Sequence, residues 1–112
     1  MPAQTTIRLA NAGFSPEIKL EYSVLRKSVL ILRSVNHKLR QQIIQLLQEN
    51  KRLTVTDVYI KMRLEQSVAS QHLAILRRAG VLNTSRAGKN VFYHLNKERL
   101  QGIGNMINEM AG

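Results

Sequence analysis

Apolar residues recur at helical spacing over most of this chain. Between Glu17 and Arg33 there is neither Gly nor Pro, and apolar residues return every three or four positions, which predicts a helix. Its apolar surface is too wide for one contact, so we expect it to pack on its own domain and on a second chain. Asn36 is a favourable N-cap for the next helix, which should end near Asn50. The core-facing stripe of that helix is Leu39, Ile43, Leu46 and Leu47.

Two further helices are predicted to meet across a tight turn. The segment from Arg52 to Val55 can form a brief edge strand at most, and Thr56 should cap a helix from Asp57 to about Met62. A longer helix should begin after Glu65 and end at Ala79, because Gly80 is a typical C-terminal breaker. The inner face of this longer helix consists of Ala69, Leu73 and Leu76.

The rest of the chain predicts a hairpin followed by a helix. Val81 to Ser85 and Val91 to Leu95 have the composition of two strands, and a basic tip that contains glycine joins them. Asn96 should cap the last helix, whose apolar residues recur with spacings of three and four: Leu100, Ile103, Ile107 and Met110. Because this helix also carries two glycines, it needs packing from outside, which a partner subunit would provide. Ordinary core packing of the same four residues is the alternative.

This order of elements predicts a mostly α-helical fold with one small β-hairpin, a winged helix-turn-helix with the element order α-α-α-α-β-β-α. With 112 residues and 44% hydrophobic content, the chain can build one core. Residues 1–16 mix Thr, Asn, Ala, Gly and Pro without a period, so we expect a loosely held N-terminal arm. Residues 17–112 are assigned to a single dimeric domain.

Composition narrows the environment and the chemistry. Cysteine is absent, which excludes disulfides and thiolate metal sites and fits a reducing cytosol. The N-terminal residues lack the apolar stretch of a secretory signal, and no apolar run approaches the roughly 20 residues needed to span a bilayer. We therefore expect a cytoplasmic protein without a membrane partner. No paired carboxylates, phosphate loop or Ser-His-Asp arrangement indicates an enzyme.

The charge balance indicates a polyanionic partner. The formal net charge is +10 and the pI is about 10.7, for which nucleic acid is the simplest partner. On the longer helix, the polar face carries short groups suited to base edges in the major groove: Gln66, Ser67, Ser70 and Gln71. The cations suited to phosphates are Lys61, Arg63, Arg77, Arg78, Arg86 and Lys89. Solvated charges at a simple turn are the alternative for Arg86 and Lys89.

Two segments together form a pattern typical of one family. They are the run from Leu64 to Leu82, LEQSVASQHLAILRRAGVL, and the hairpin from Arg86 to Leu95. With them the chain, from about Glu17 to its end, resembles the ArsR-type bacterial repressors. The resemblance implies a homodimer on duplex DNA, built from the first and last helices, with the four polar residues of the longer helix meeting DNA. The residues expected at the dimer contact are Leu25, Val29, Leu32, Leu100, Ile103, Ile107 and Met110.

The chain departs from the metal-sensing relatives of that family. Those relatives carry a cysteine pair where this chain has Thr54 and Thr56, and Asp and His on the last helix, where residues 97–112 contain no His. We therefore expect neither a metal nor a cofactor, and leave open an unknown inducer or protein partner. Glu65, where the family often has Ser, is expected to cap the helix while repelling phosphate.

The other ionisable residues have structural explanations. The histidines, His37, His72 and His94, share no metal-ligand spacing. His72 lies inside the longer helix, which is the predicted recognition helix. For this residue, a phosphate contact and partial burial are equally supported. Acids at predicted helix starts offset the helix dipole and do not form a catalytic pair: Asp57, Glu65 and Glu98.

Two functions fit these patterns. The first is a sequence-specific transcriptional regulator, a repressor that acts as a homodimer on an inverted repeat and is associated with the nucleoid. The alternative is a winged-helix module that binds nucleic acid without sequence preference or recruits a protein partner. The polar face of the recognition helix discriminates between them, because a nonspecific binder would carry more Lys and Arg there. The sequence therefore favours the repressor.

Overall fold

The computed structural model describes residues 6–9 and 18–112, and the chain divides into two compact units after Leu30. In the first unit, strands β1 (Thr6–Leu9) and β2 (Ile18–Glu21) pair antiparallel. Helix α1 (Tyr22–Val35) follows β2 directly, and its end belongs to the second unit. The rest of the predicted N-terminal arm lies outside the described residues.

The first helix begins later than its sequence predicts. Its predicted start was Glu17, but α1 begins at Tyr22 and the segment Ile18–Glu21 is a strand. The sequence Ile-Lys-Leu-Glu alternates apolar and polar residues, which is the period of a strand. Over four residues this alternation does not conflict with helical spacing, so the pairing with β1, a contact distant in sequence, decides the conformation.

The second unit contains the predicted winged helix-turn-helix. Its further helices are α2 (Lys38–Glu49), α3 (Val55–Met62), α4 (Gln66–Arg78) and α5 (Lys97–Ala111). Strands β3 (Leu82–Ala87) and β4 (Asn90–Leu95) form an antiparallel hairpin between α4 and α5. From α1 onward the order of elements is the predicted one, and the fold prediction is confirmed. The β1–β2 hairpin is an addition to it.

The core of the second unit is built around α4. The side chains with at most 1% exposure come from α2, α3, α4 and the start of the hairpin: Ile43, Val58, Ala69, Leu73, Leu76, Val81 and Leu82. Ile31, Leu47, Leu53 and Ile103 complete the buried cluster. Full burial of a Leu or Ile side chain contributes about 1.5–3 kcal/mol, so this cluster makes a large favourable contribution to the stability of the unit.

Two helices are capped one or two residues away from the predicted positions. His37, not Asn36, caps α2, because its Nδ1 accepts a hydrogen bond of 3.1 Å from the backbone N–H two residues on. Thr54, not Thr56, caps α3: its hydroxyl accepts from the Asp57 N–H at 3.1 Å, and the Asp57 carboxylate accepts from the Thr54 N–H at 3.0 Å. This reciprocal capping box needs an acidic or amide residue three positions on, which Thr56 lacks.

The turns and the helix cap around the hairpin agree with the predictions made from the sequence. Gly80 ends α4 with a φ of +77°, and Gly88 has a φ of +62° at the first position of the two-residue turn, where type II′ turns require glycine. Asn96 caps α5 as predicted, since its side-chain oxygen accepts from the Arg99 N–H at 3.1 Å. Its amide also donates to the Gly80 carbonyl at 3.0 Å. The hairpin is thereby fastened to both adjoining helices.

The brief edge strand predicted before α3 exists as a single bridge. Leu53 pairs antiparallel with Tyr93 of β4 through two backbone hydrogen bonds of 3.0 and 2.7 Å. This bridge connects the entrance of α3 to the hairpin.

Candidate nucleic-acid interface

Helix α4 separates a buried face from a polar face. Its inner residues, Ala69, Leu73 and Leu76, are completely buried, as predicted. The four residues predicted to meet base edges are all exposed: Gln66, Ser67, Ser70 and Gln71. They occupy positions i, i+1, i+4 and i+5 on the first turns of the helix, so they form one patch. The packing of the inner face therefore determines that these four side chains point to solvent.

The turn before α4 is determined by a left-handed residue. Arg63 has φ 54° and ψ 43°, and the following N–H, that of Leu64, donates to the Tyr59 carbonyl at 3.0 Å. This conformation is uncommon for residues other than glycine, and here it ends α3 and starts the turn toward α4. The turn thus places the exposed Arg63 three residues before Gln66, the first residue of the polar patch.

The predicted phosphate-contacting residues are exposed. They lie at the end of α3, at the end of α4 and on the hairpin: Lys61, Arg63, Arg77, Arg78, Arg86 and Lys89. In the hairpin register Arg86 lies opposite Val91, and Lys89 occupies the turn. Long basic side chains in these positions keep their charged ends in water, where a polyanion is accessible to them.

Arg40, which the sequence patterns did not single out, connects three helices. Its Nε donates to the Ser34 carbonyl at 2.6 Å and its Nη2 to the Arg33 carbonyl at 3.2 Å, both in the last turn of α1. Its Nη1 lies 3.4 Å from Nδ1 of His72 in α4. A cation at the last carbonyls of a helix is favoured by the helix dipole. Arg40 therefore links the end of α1 to α4.

His37 and His72 are distant in sequence but adjacent in the fold. Their ring centroids lie 4.8 Å apart, with an interplanar angle of 53°. Burial lowers the pKa of His72, and the neighbouring charges of His37 and Arg40 lower it further. Because a guanidinium only donates, Nδ1 of His72 is the acceptor toward Arg40. Of the two explanations of His72, the structure favours partial burial.

The acids at the helix starts have different roles. The pKa of Asp57 is lowered by its hydrogen bonds with the backbone and the hydroxyl of Thr54, the capping box described above. Glu65 occupies the N-cap of α4 but makes no hydrogen bond from its side chain to the helix, so the expectation that it caps α4 is wrong. Effective caps such as Ser and Asp have shorter side chains. The Glu65 carboxylate is exposed beside the polar patch.

The residues predicted for a dimer contact fall into two groups. Within the single chain, Leu32 and Leu100 pack against the core, and Ile103 belongs to it. The other four have solvent-exposed fractions of 42%, 38%, 44% and 77%: Leu25, Val29, Ile107 and Met110, respectively. They form an i, i+4 pair on α1 and an i, i+3 pair on α5. Each helix thus exposes a short apolar stripe.

The part of the chain that the structure describes shows neither a metal-binding cluster nor a membrane-spanning helix. It contains no group of three or more His, Asp or Glu residues arranged to hold a metal ion. Within the same residues, no helix combines the length and the apolarity that crossing a bilayer requires. Thr54, one of the two positions at which the resemblance led us to look for cysteine, uses its hydroxyl to cap α3.

The sequence matches known bacterial regulators. Residues 37–84 match the family described as bacterial regulatory protein, arsR family. The transcriptional repressor PagR of Bacillus anthracis is 33% identical over 90 residues, which are 80% of this chain and 90% of PagR. The transcriptional activator HlyU of Vibrio cholerae is 33% identical over 84 residues, which are 75% of this chain and 77% of HlyU.

Solved structures have the same fold. The crystal structure of PagR has a TM-score of 0.64 at 32% identity, covering 78% of this chain and 99% of the PagR chain. A homodimeric winged helix-turn-helix DNA-binding domain from Mycobacterium bovis has a TM-score of 0.67, with 80% of this chain and 82% of that chain covered. At 19% identity, the second likeness concerns the fold alone.

These matches define the class of the protein. The chain belongs to the ArsR family of bacterial regulatory proteins. Members of this family are transcriptional regulators with winged helix-turn-helix DNA-binding domains, not enzymes, and this chain has that winged helix-turn-helix.

Proposed function

We propose that this protein represses transcription as a homodimer that reads an inverted repeat in duplex DNA. The observation that carries the proposal is the exposed polar patch on α4: Gln66, Ser67, Ser70 and Gln71. Gln can pair bidentately with adenine and Ser can donate to or accept from either base, while small side chains allow close approach to the groove floor. Since the inner face of α4 is completely buried, the patch is presented on a rigid helix.

Phosphate contacts supply affinity in this proposal. We assign them to exposed cations on three elements: Lys61, Arg63, Arg77, Arg86 and Lys89. Contacts to the DNA backbone set the register without reading sequence, and they release counterions, which makes binding dependent on salt. The net charge of +10 is in keeping with this division between affinity and specificity.

A second copy of the chain would complete the binding unit. We assign the contact to the exposed stripes of α1 and α5, with Leu25, Val29, Ile107 and Met110, together with the more buried Leu32, Leu100 and Ile103. A two-fold dimer would place its recognition helices in successive major grooves, roughly 34 Å apart. The Mycobacterium bovis domain, which shares the fold, is homodimeric.

The remaining assignments are part of the same proposal. PagR is named a repressor and HlyU an activator, and we place this chain with the repressors because PagR matches more of it. Residues 17–112 constitute the DNA-binding and dimerisation domain, and residues 1–16 its N-terminal arm. The protein would act in the cytoplasm, on the nucleoid. The proposed function is compatible with an inducer or a protein partner that releases the protein from DNA.

Selection of tight binders from a random duplex library, at two salt concentrations, tests the proposal. The wild-type protein should enrich an inverted repeat with half-sites centred about 10 bp apart. Gln71→Ala should relax the preference at one position of each half-site and weaken binding to the enriched site by about 1–3 kcal/mol. Arg86→Ala should weaken binding to all sequences alike and reduce the salt slope by about 0.9.

Gln45→Ala is the matched control, because Gln45 is an exposed glutamine on a different helix, α2. It should leave both the enriched sequence and the salt slope unchanged. A uniform loss of affinity on every sequence from Gln71→Ala would contradict the base-reading assignment. Failure to enrich any sequence, with binding that disappears as salt rises, would replace the repressor by a nonspecific nucleic-acid-binding module.

A further inference from the structure

A cavity of about 680 Å³ lies between the end of α2, strand β4 and the start of α5. Its floor is apolar and consists of Leu47, which is 3% exposed, and the half-buried Leu95 and Leu100. The volume is within the range of small-molecule sites, about 300–1,000 Å³. Of these residues Leu100 also belongs to the predicted dimer contact, and none belongs to the proposed DNA contact.

The rim of the cavity is cationic. Lys51, Arg52 and Lys97 line it and are exposed, and no lining residue is acidic. The Arg52 guanidinium lies over the ring of Phe92, with its central carbon 4.1 Å from the ring centroid. This cation–π contact holds the guanidinium in one place and lowers the entropy lost when an anion binds. The rim therefore favours a negatively charged group.

Two polar side chains complete the lining. Gln48 of α2 offers both a donor and an acceptor, and His94 of β4 offers two ring nitrogens. An apolar floor with a few convergent polar groups is typical of sites for small organic molecules, in which the floor supplies affinity and the polar groups determine orientation.

We propose that this cavity binds a small organic anion, with its carboxylate or phosphate-monoester headgroup on the Lys51, Arg52 and Lys97 rim and its apolar body on the leucine floor. This proposal goes beyond the regulatory function and does not depend on the proposed DNA binding. Binding is a property of the cavity, so it is measurable in the absence of DNA.

The occupant would lie beside the bridge that connects the hairpin to α3. Arg52 precedes Leu53 and His94 follows Tyr93, and these two bridge residues exchange backbone hydrogen bonds of 3.0 and 2.7 Å. A molecule that contacts Arg52 and His94 therefore touches both segments that the bridge joins. Its binding should be detectable at the Leu53 and Tyr93 amides as well as in the lining.

The proposal is tested by titrating the ¹⁵N-labelled 112-residue protein with four probes and following its amide chemical shifts. Octanoate and octyl phosphate carry an apolar body with either headgroup, acetate lacks the body, and octylammonium reverses the charge. We expect saturable shifts at the lining residues with octanoate or octyl phosphate, and the stronger of the two identifies the headgroup. Acetate and octylammonium should bind at least about tenfold more weakly.

A double variant tests the location of the site. Lys51→Ala with Lys97→Ala removes two exposed cations from the rim and should weaken octanoate or octyl phosphate binding about tenfold. Lys38→Ala is the matched control, because Lys38 is exposed on α2 and does not line the cavity; it should leave binding unchanged. The double variant should keep the wild-type spectrum elsewhere, which shows that it folds.

Three results would overturn the proposal. They are the absence of saturable shifts with both anions, equal binding of octylammonium, and an unchanged affinity in the double variant. Each variant is also assayed on the selected DNA. If the protein binds the selected DNA but no anion, only the proposed cavity site is contradicted. If it binds the anion but shows no DNA sequence preference, only the proposed regulatory function is contradicted.

Discussion

Helices α4 and α5 have comparable lengths, 13 and 15 residues, and both repeat apolar residues every three or four positions. Their own chain buries them to different extents. On α4, Ala69, Leu73 and Leu76 are completely buried. On α5, Ile103 is 7% exposed, whereas Ile107 and Met110 near the end of the helix are 44% and 77% exposed.

The difference is that the apolar face of α4 is covered within its own domain, whereas part of the apolar face of α5 is not. The position of α4 follows from intrachain packing, so its polar patch is displayed whether or not a second copy is present. The second half of α5 exposes apolar surface, which costs free energy in water until something covers it. Under the proposed function a second copy of the chain covers this apolar surface. Substitutions on the inner face of α4 should then affect folding, whereas substitutions on the exposed stripe of α5 should affect assembly.

The largest expected effect is on assembly. Ile107→Asp would bury a carboxylate without a partner in the dimer contact, which should weaken dimerisation by at least about 3 kcal/mol. Analytical ultracentrifugation should then detect monomers at concentrations where the wild type is dimeric. Asn108→Asp introduces the same charge at a neighbouring exposed position and serves as the control. A variant that stays dimeric would exclude the α5 stripe as the contact.

The next effect is on folding. Leu73→Ala opens a cavity in the completely buried face of α4 and should lower the free energy of unfolding by about 2–5 kcal/mol, as measured by urea denaturation. Ile107→Ala, at an exposed position, should cost much less in a sample diluted to monomer. Equal losses at the two positions would remove the distinction between the helices.

A smaller effect of opposite sign is expected at the start of α4. Unlike Asn96 at the start of α5, the N-cap Glu65 makes no capping hydrogen bond. Glu65→Ser should supply one and raise the free energy of unfolding by about 0.5–1 kcal/mol. Glu65→Ala removes the carboxylate without adding a cap and distinguishes the two effects. If Ala stabilises as much as Ser, the change reflects charge and not capping.

The smallest effect concerns pH. Because the pKa of folded His72 is lowered below its ordinary value of 6.5, the unfolded chain binds a proton there at a higher pH than the folded chain. Stability should therefore decrease as pH falls through 6.5 toward the lowered value, and remain unaffected by this group above that window. His72→Gln, with His37 and Arg40 retained, should flatten the pH dependence of the thermal midpoint. Parallel curves for the variant and the wild type would contradict this origin.

Local signals predicted the helix-turn-helix and the hairpin well. The inner residues of α4, the Gly80 terminator and the Asn96 cap all follow from residues a few positions apart, and the structure confirms them. The missed cap of α2 is also local: the observed cap, His37, directly follows Asn36, which is the commoner capping type. The capping box of α3 was visible as Thr54 with Asp57 three residues later.

The sequence by itself determined that two helices and a hairpin follow α2 in this order, which face of α4 is apolar, and which residues are candidates for reading DNA. These properties depend on periodicity and on turn residues, which act over one or two helical turns. Only the tertiary structure decided that β2 is a strand, that Arg40 and His37 lie beside His72, and that Arg52 and Lys97 share a cavity. These contacts join residues distant along the chain, and short-range patterns do not encode which distant residues will meet.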